Sequence, residues 1–184
     1  MNVACLGWGS LIWDPRTLPV RGPWREDGPR LPIEFARQSS DGRLTLVIVP
    51  DYPYFVPVLW TLLSTATVDE ARTVLGRREG VGLRNVQRSI GLWSDHESAP
   101  AACPGMPAWA AERMLGAVVW TALTPGCGTD IFVVNVDEAE QYLRQLPCPI
   151  RQCAEEYVRR APRQVDTPYR RRFEAALGWM PLGL

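Results

Sequence analysis

Apolar positions along this chain switch from strand-like runs to helical stripes. Asn2–Leu6 (NVACL) is a short apolar run that ends on glycine and reads as a buried strand. Ile33–Ser40 and Arg43–Val49 read as two strands joined at Asp41-Gly42, a pair that favours a hairpin because both residues tolerate positive φ. Val58–Leu63 (VLWTLL) and Gly116–Leu123 (GAVVWTAL) read as core strands. Asn85–Trp93 and Asp130–Val136 add two further strand candidates. The clearest helix follows Thr67, with Glu70 three residues on, the spacing of a capping box. Val68, Ala71, Val74 and Leu75 form its apolar stripe, Gly76 weakens it, and Gly80 and Gly82 end it. Ala108–Leu115, Asp137–Leu146, Gln152–Arg160 and Pro168–Leu177 read as helices.

Between these elements the chain is punctuated by Pro and Gly. Residues 19–32 read as a surface loop, Pro50–Pro57 as a Tyr/Pro-rich connection, and Ser94–Pro107 as a polar loop. Strands dominate the first two-thirds and helices the last third, which predicts an α+β class over a doubly wound sheet. No linker or internal repeat is visible. The expectation is one domain over residues 1–184, with 147–184 as a helical C-terminal extension.

Composition narrows the function classes. Basic and acidic residues balance at 20 each, so the net charge is zero. Binding to nucleic acid or to an anionic membrane leaves a basic footprint, and neither is expected as a partner. Every basic residue is Arg, a bias that a GC-rich bacterial genome produces, and without Lys no Schiff-base or lysine-base chemistry is open. Cys5, Cys103, Cys127, Cys148 and Cys153 contain no CxxC pair, so no zinc site and no other metal is expected. With no apolar run of membrane length and no charged leader, the expected location is the cytoplasm.

The first candidate for chemistry is the turn Gly7-Trp8-Gly9-Ser10-Leu11 after the opening strand. Two glycines let backbone N–H groups point outward together and bind a carboxylate or phosphate. The same pattern also suits a plain tight turn beside buried Trp8 and Trp13. A dinucleotide fingerprint is excluded because Leu11-Ile12-Trp13 replaces the third glycine and helix start. A nucleophile elbow is excluded because Ile12 stands where a second glycine is needed.

The second candidate is Glu79. With the helix running through it, Glu79 lies one turn beyond Leu75, over the apolar stripe. Burial and the negative end of a helix both disfavour the anion, which suits a general acid/base. Arg77 and Arg78 act the other way, and a solvated or salt-bridged carboxylate is the competing reading.

Taken in order, these segments resemble the γ-glutamylcyclotransferase-like family, in particular its ChaC-type branch. The resemblance rests on Leu6-Gly7-Trp8-Gly9-Ser10-Leu11-Ile12-Trp13, on Phe35-Ala36-Arg37-Gln38-Ser39-Ser40-Asp41-Gly42-Arg43, and on Leu75-Gly76-Arg77-Arg78-Glu79-Gly80-Val81-Gly82. It continues through Gly116–Leu123 to Tyr142-Leu143, about residues 2–146 in all. Trp8 replaces the family's usual Tyr, and Leu83 stands where an aromatic often follows. The resemblance implies a small mixed β-barrel with flanking helices. It also implies cyclisation of a γ-glutamyl peptide or γ-glutamylamine to 5-oxoproline, with release of the amine. Glu79 would then be catalytic, and Gly7, Trp8, Gly9, Ser10, Leu11, Arg37, Ser39 and Tyr142 would line the substrate. The chemistry implied needs no cofactor, and the partner implied is the small γ-glutamyl substrate.

Other residues keep two readings. Arg37 braces the turn or a ligand carboxylate, or forms a strand-edge salt bridge. Tyr142 bonds substrate or is a half-buried helix residue. The arginines of the C-terminal region, Arg159, Arg160, Arg163 and Arg170–Arg172, read as solvated helix surface or as a site for an acidic partner. Two alternatives to the enzyme stand beside it: a non-catalytic module of the same fold that binds a small acid or a protein, and an unrelated Ser or Cys hydrolase using His96.

Overall fold

The computed structural model of the chain describes residues 1–126 and 135–182. Those residues form two compact units, each assembled from three separate segments. The first comprises Met1–Gly7, Asp14–Leu31 and Pro57–Leu123, and the second Trp8–Trp13, Pro32–Val56 and Thr124–Leu184.

The first unit is built on a five-stranded mixed sheet. Its strands are β1 (Val3–Gly7), β2 (Val20–Arg25), β7 (Leu59–Leu63), β8 (Ile90–Ser94) and β9 (Ala117–Thr121), in the order β2-β7-β1-β9-β8. The two-residue strands β3 (Arg30–Leu31) and β6 (Val56–Pro57) lie where the chain passes between units. β1 is central: it runs antiparallel to β7, with Leu6 opposite Trp60, and parallel to β9, with Cys5 opposite Val119. All five of its residues are buried, which explains why it reads as an unbroken apolar run. Helix α1 (Val68–Arg78) packs on β8 and β9 through Ala71 and Leu75. The Thr67 hydroxyl caps it by accepting the Glu70 N–H at 3.1 Å, and Glu70 returns a carboxylate oxygen to the Ala66 N–H at 2.7 Å. Gly76 has a packing role, because a Cβ there would lie 2.9 Å from Val86 Cγ2.

Three sequence expectations change here. Residues 20–25 form an edge strand rather than loop: Gly22 has φ +92° and the pairing with β7 shifts register between Arg21 and Arg25. An edge strand accepts Gly22-Pro23 where a central one would not. The segment before β8 is helical over Leu83–Asn85 and Val86–Ser89 (α2), so only its last part is strand. The short helix α3 (Met106–Glu112) precedes β9 as expected. The implied barrel is not closed among the described residues: the sheet is open, with β2 and β8 at its edges. Most of the strand expected at Asp130–Val136 lies outside the described residues, and Val136 itself begins a helix.

The second unit pairs a hairpin with three helices. β4 (Ile33–Gln38) and β5 (Leu44–Ile48) are antiparallel around the expected turn, where Gly42 has φ +85°. Helices α4 (Val136–Gln145), α5 (Cys148–Arg160) and α6 (Pro168–Leu177) pack with them. Phe35 sits at the centre, edge-on to Phe173 at 5.5 Å and to Tyr157 at 6.3 Å. Glu34 is buried at the start of α6 and accepts from the Thr167 hydroxyl at 2.6 Å, the Phe35 N–H at 2.8 Å, the Tyr52 hydroxyl at 2.7 Å and the Tyr169 N–H at 3.2 Å. Burial outweighs these bonds and raises its pKa above the ordinary carboxylate value. Arg170 departs from the solvated-surface reading. It is buried and donates to the carbonyls of Ala161, Pro162 and Val165, satisfying the chain as it leaves α5. No described helix is long and apolar enough to cross a membrane.

Candidate functional site

Glu79 is placed by the end of α1. It is the C-cap residue, and Gly80 after it takes φ +70°. The Gly80 N–H donates to Arg77 O at 3.1 Å and the Val81 N–H to Gly76 O at 2.8 Å, the two bonds of a Schellman turn. The carboxylate is therefore fixed at the negative end of the helix. Its side chain is only 16% exposed and pairs with Arg78, Nη1 to Oε1, at 2.8 Å. Arg78 is itself buried, and its Nε and Nη2 donate to Asp14 O at 3.2 and 2.6 Å. Arg16 donates in turn to Arg78 O at 3.3 Å. On β1, burial and the Glu79 carboxylate together push the Cys5 thiol pKa up, so Glu79 acts electrostatically on the strand that leads into Gly7. The salt-bridged reading of Glu79 is thus correct as to partner, but the group is shielded rather than solvated.

The opening turn divides at its first residue. Gly7 closes β1 opposite Leu59, and Trp8–Trp13 belongs to the second unit. There the Ile12 N–H donates to Gly9 O at 3.0 Å and closes the turn. The Trp8 ring is buried and its indole N–H donates to Leu46 O on β5 at 3.1 Å. A role for Trp8 in ligand binding therefore rests on its backbone. Ser10 is half-buried and Leu11 buried.

A residue the sequence reading did not select organises this segment. Tyr157 on α5 puts its hydroxyl against Gly9, where any Cβ would collide with it. The same hydroxyl accepts the Leu46 N–H at 3.3 Å, and the ring meets Trp13 edge-on at 5.6 Å. Arg43 lies over that ring, 5.5 Å from its centre. The signal was present as the buried spacing of Ala154, Tyr157 and Val158 on α5.

The remaining candidates gather at the hairpin. The Tyr142 hydroxyl donates to Gly42 O and accepts from Gln38 Nε2, both at 2.6 Å. Ser39 Oγ bonds Asp41 and lies 3.2 Å from Arg43 O. Arg37 donates to Thr124 O at 2.8 Å, and its strand takes Gly126 alongside as a parallel bridge. Arg37 therefore braces the chain at 124–126, and among the described residues it makes no salt bridge. His96 is exposed, 3.5 Å from Asp95, and bonds to no serine or cysteine among the described residues. The hydrolase alternative loses its support there.

The chain matches no protein-family model. It matches no curated protein. Among solved structures it is similar to a yeast γ-glutamyl cyclotransferase specific to glutathione, crystallised with selenomethionine label. The identity is 15%, the match covers 99% of this chain and 89% of that one, and the TM-score is 0.38. At that TM-score the likeness carries no weight of its own, and the functional reading stands on the residues.

Proposed function

We propose that this protein is a γ-glutamylcyclotransferase-type enzyme of the γ-glutamylcyclotransferase-like fold. Its substrate is a γ-glutamyl peptide or γ-glutamylamine, and its products are 5-oxoproline and the released amine. Amides of residues 7–11 hold the substrate's α-carboxylate. Glu79 takes a proton from the α-amine, the nitrogen attacks the γ-carbonyl carbon, and the bond to the leaving nitrogen breaks as Glu79 returns the proton to it. Nucleophile and carbonyl share one molecule, so folding the substrate and moving one proton suffice. No cofactor takes part, and the cytoplasm, where γ-glutamyl compounds are met with reduced thiols, is the proposed location.

The observation that carries this reading is Glu79 itself: a shielded carboxylate fixed at the end of α1 by a Schellman turn and an arginine. A second reading is a non-catalytic module of the same fold that binds a small acid. It is favoured by the engagement of Trp8 with β5. Glu79→Gln separates the two. The enzyme reading predicts that the variant binds γ-glutamyl compounds by calorimetry yet turns over none of those the wild type consumes. Binding by both proteins with turnover by neither supports the module.

A further inference from the structure

Arg78 does more than accompany the carboxylate. Its guanidinium is 5% exposed and meets Glu79 and Asp14 on different edges: Nη1 donates to Glu79 Oε1, and Nε and Nη2 donate to Asp14 O. A planar fork bound on two edges has little rotational freedom, so the carboxylate it grips is fixed as well. Asp14 is the first residue after the segment 8–13, and Cys5, on which Glu79 acts, lies two residues before the end of β1. One arginine therefore links the general base to the chain that follows the turn.

We propose, resting on the cyclotransferase reading, that Arg78 is the positioning residue of the reaction. It holds Oε1 of Glu79 and thereby commits Oε2 to receiving the substrate's proton and returning it to the leaving nitrogen. Among the described residues of the same unit, the charged and titratable groups named beside Glu79 are Arg77 and Arg78 on α1, Cys5 on β1, and Asp14 and Arg16 on the following segment; Arg84 and Arg88 are exposed. The strands under α1, β8 and β9, carry no titratable side chain.

The test compares Arg78→Lys and Arg78→Ala with wild type for 5-oxoproline release. A lysine keeps the charge but cannot bind on two edges. The expected result for Arg78→Lys is a fall in kcat of about 10²-fold, the scale of a misplaced catalytic group. KM should stay within about threefold and circular dichroism should be unchanged. Guanidinium ion added at non-denaturing concentration should restore part of the rate of Arg78→Ala. A second readout is independent of turnover. In ¹⁵N NMR the wild-type Arg78 guanidinium should show slowly rotating, separate Nη signals, which merge in Glu79→Ala. A freely rotating wild-type guanidinium, or an unchanged kcat in Arg78→Lys, overturns the proposal. Failure of the wild type to release 5-oxoproline while the guanidinium is immobilised overturns the reaction, and with it the catalytic half of the proposal, but not the grip on Oε1.

Discussion

Two glycines do different work at the residue scale. Gly80 supplies the left-handed conformation that ends α1 immediately after Glu79. An alanine there places a Cβ against the backbone, so Gly80→Ala should cost about 1–2 kcal/mol in urea unfolding. It should also lower turnover, because Glu79 shifts with the turn; a variant with full stability and full rate would contradict the Schellman assignment. Gly9 instead provides space for Tyr157. Gly9→Ala should lower stability by roughly 1–3 kcal/mol through overpacking. The same change in a Tyr157→Phe background should cost less, because the colliding hydroxyl is gone. Equal costs in both backgrounds would remove Tyr157 as the cause.

Elements were legible where one local rule governed them. The α1 cap at Thr67, the hairpin at Asp41-Gly42 and the buried strands β1 and β9 follow from capping, turn and periodicity signals that neighbours do not override. β2 was not legible, because Gly22 and Pro23 carry a loop signal that an edge position tolerates. Tyr157 stands in a helical stripe, where a tyrosine reads as core, and only the fold puts its hydroxyl on Gly9. Glu34 belongs to this scale too, since it ties β4 to the start of α6. Glu34→Gln should cost roughly 1–3 kcal/mol, because an amide NH₂ must face a donor such as the Tyr169 N–H. Its pKa is raised in the folded state, so its contribution is full below the unfolded value and is lost as pH rises through the folded one. The stability gap between wild type and Glu34→Gln should therefore narrow as pH rises above roughly 4, the ordinary carboxylate value. A gap that widens over that range would contradict the assignment.

For the whole molecule, neither unit is a continuous stretch of sequence. β1 carries the first unit's sheet, pairing with β7 on one side and β9 on the other. A fragment beginning at Asp14 leaves those two strands without their shared neighbour, and it should show no cooperative unfolding by circular dichroism. Composition was informative at this scale chiefly by exclusion. The lack of lysine excludes lysine chemistry, whereas the proposed reaction comes from three short motifs read in order. The most direct test of that reaction is to incubate purified protein with a panel of γ-glutamyl peptides and γ-glutamylamines and quantify 5-oxoproline and free amine together. The account predicts equimolar release of both from at least one compound by the wild type, and a loss of at least about 10²-fold in Glu79→Gln at unchanged folding. Equal release by wild type and Glu79→Gln, or no release from any compound by the wild type, would contradict it.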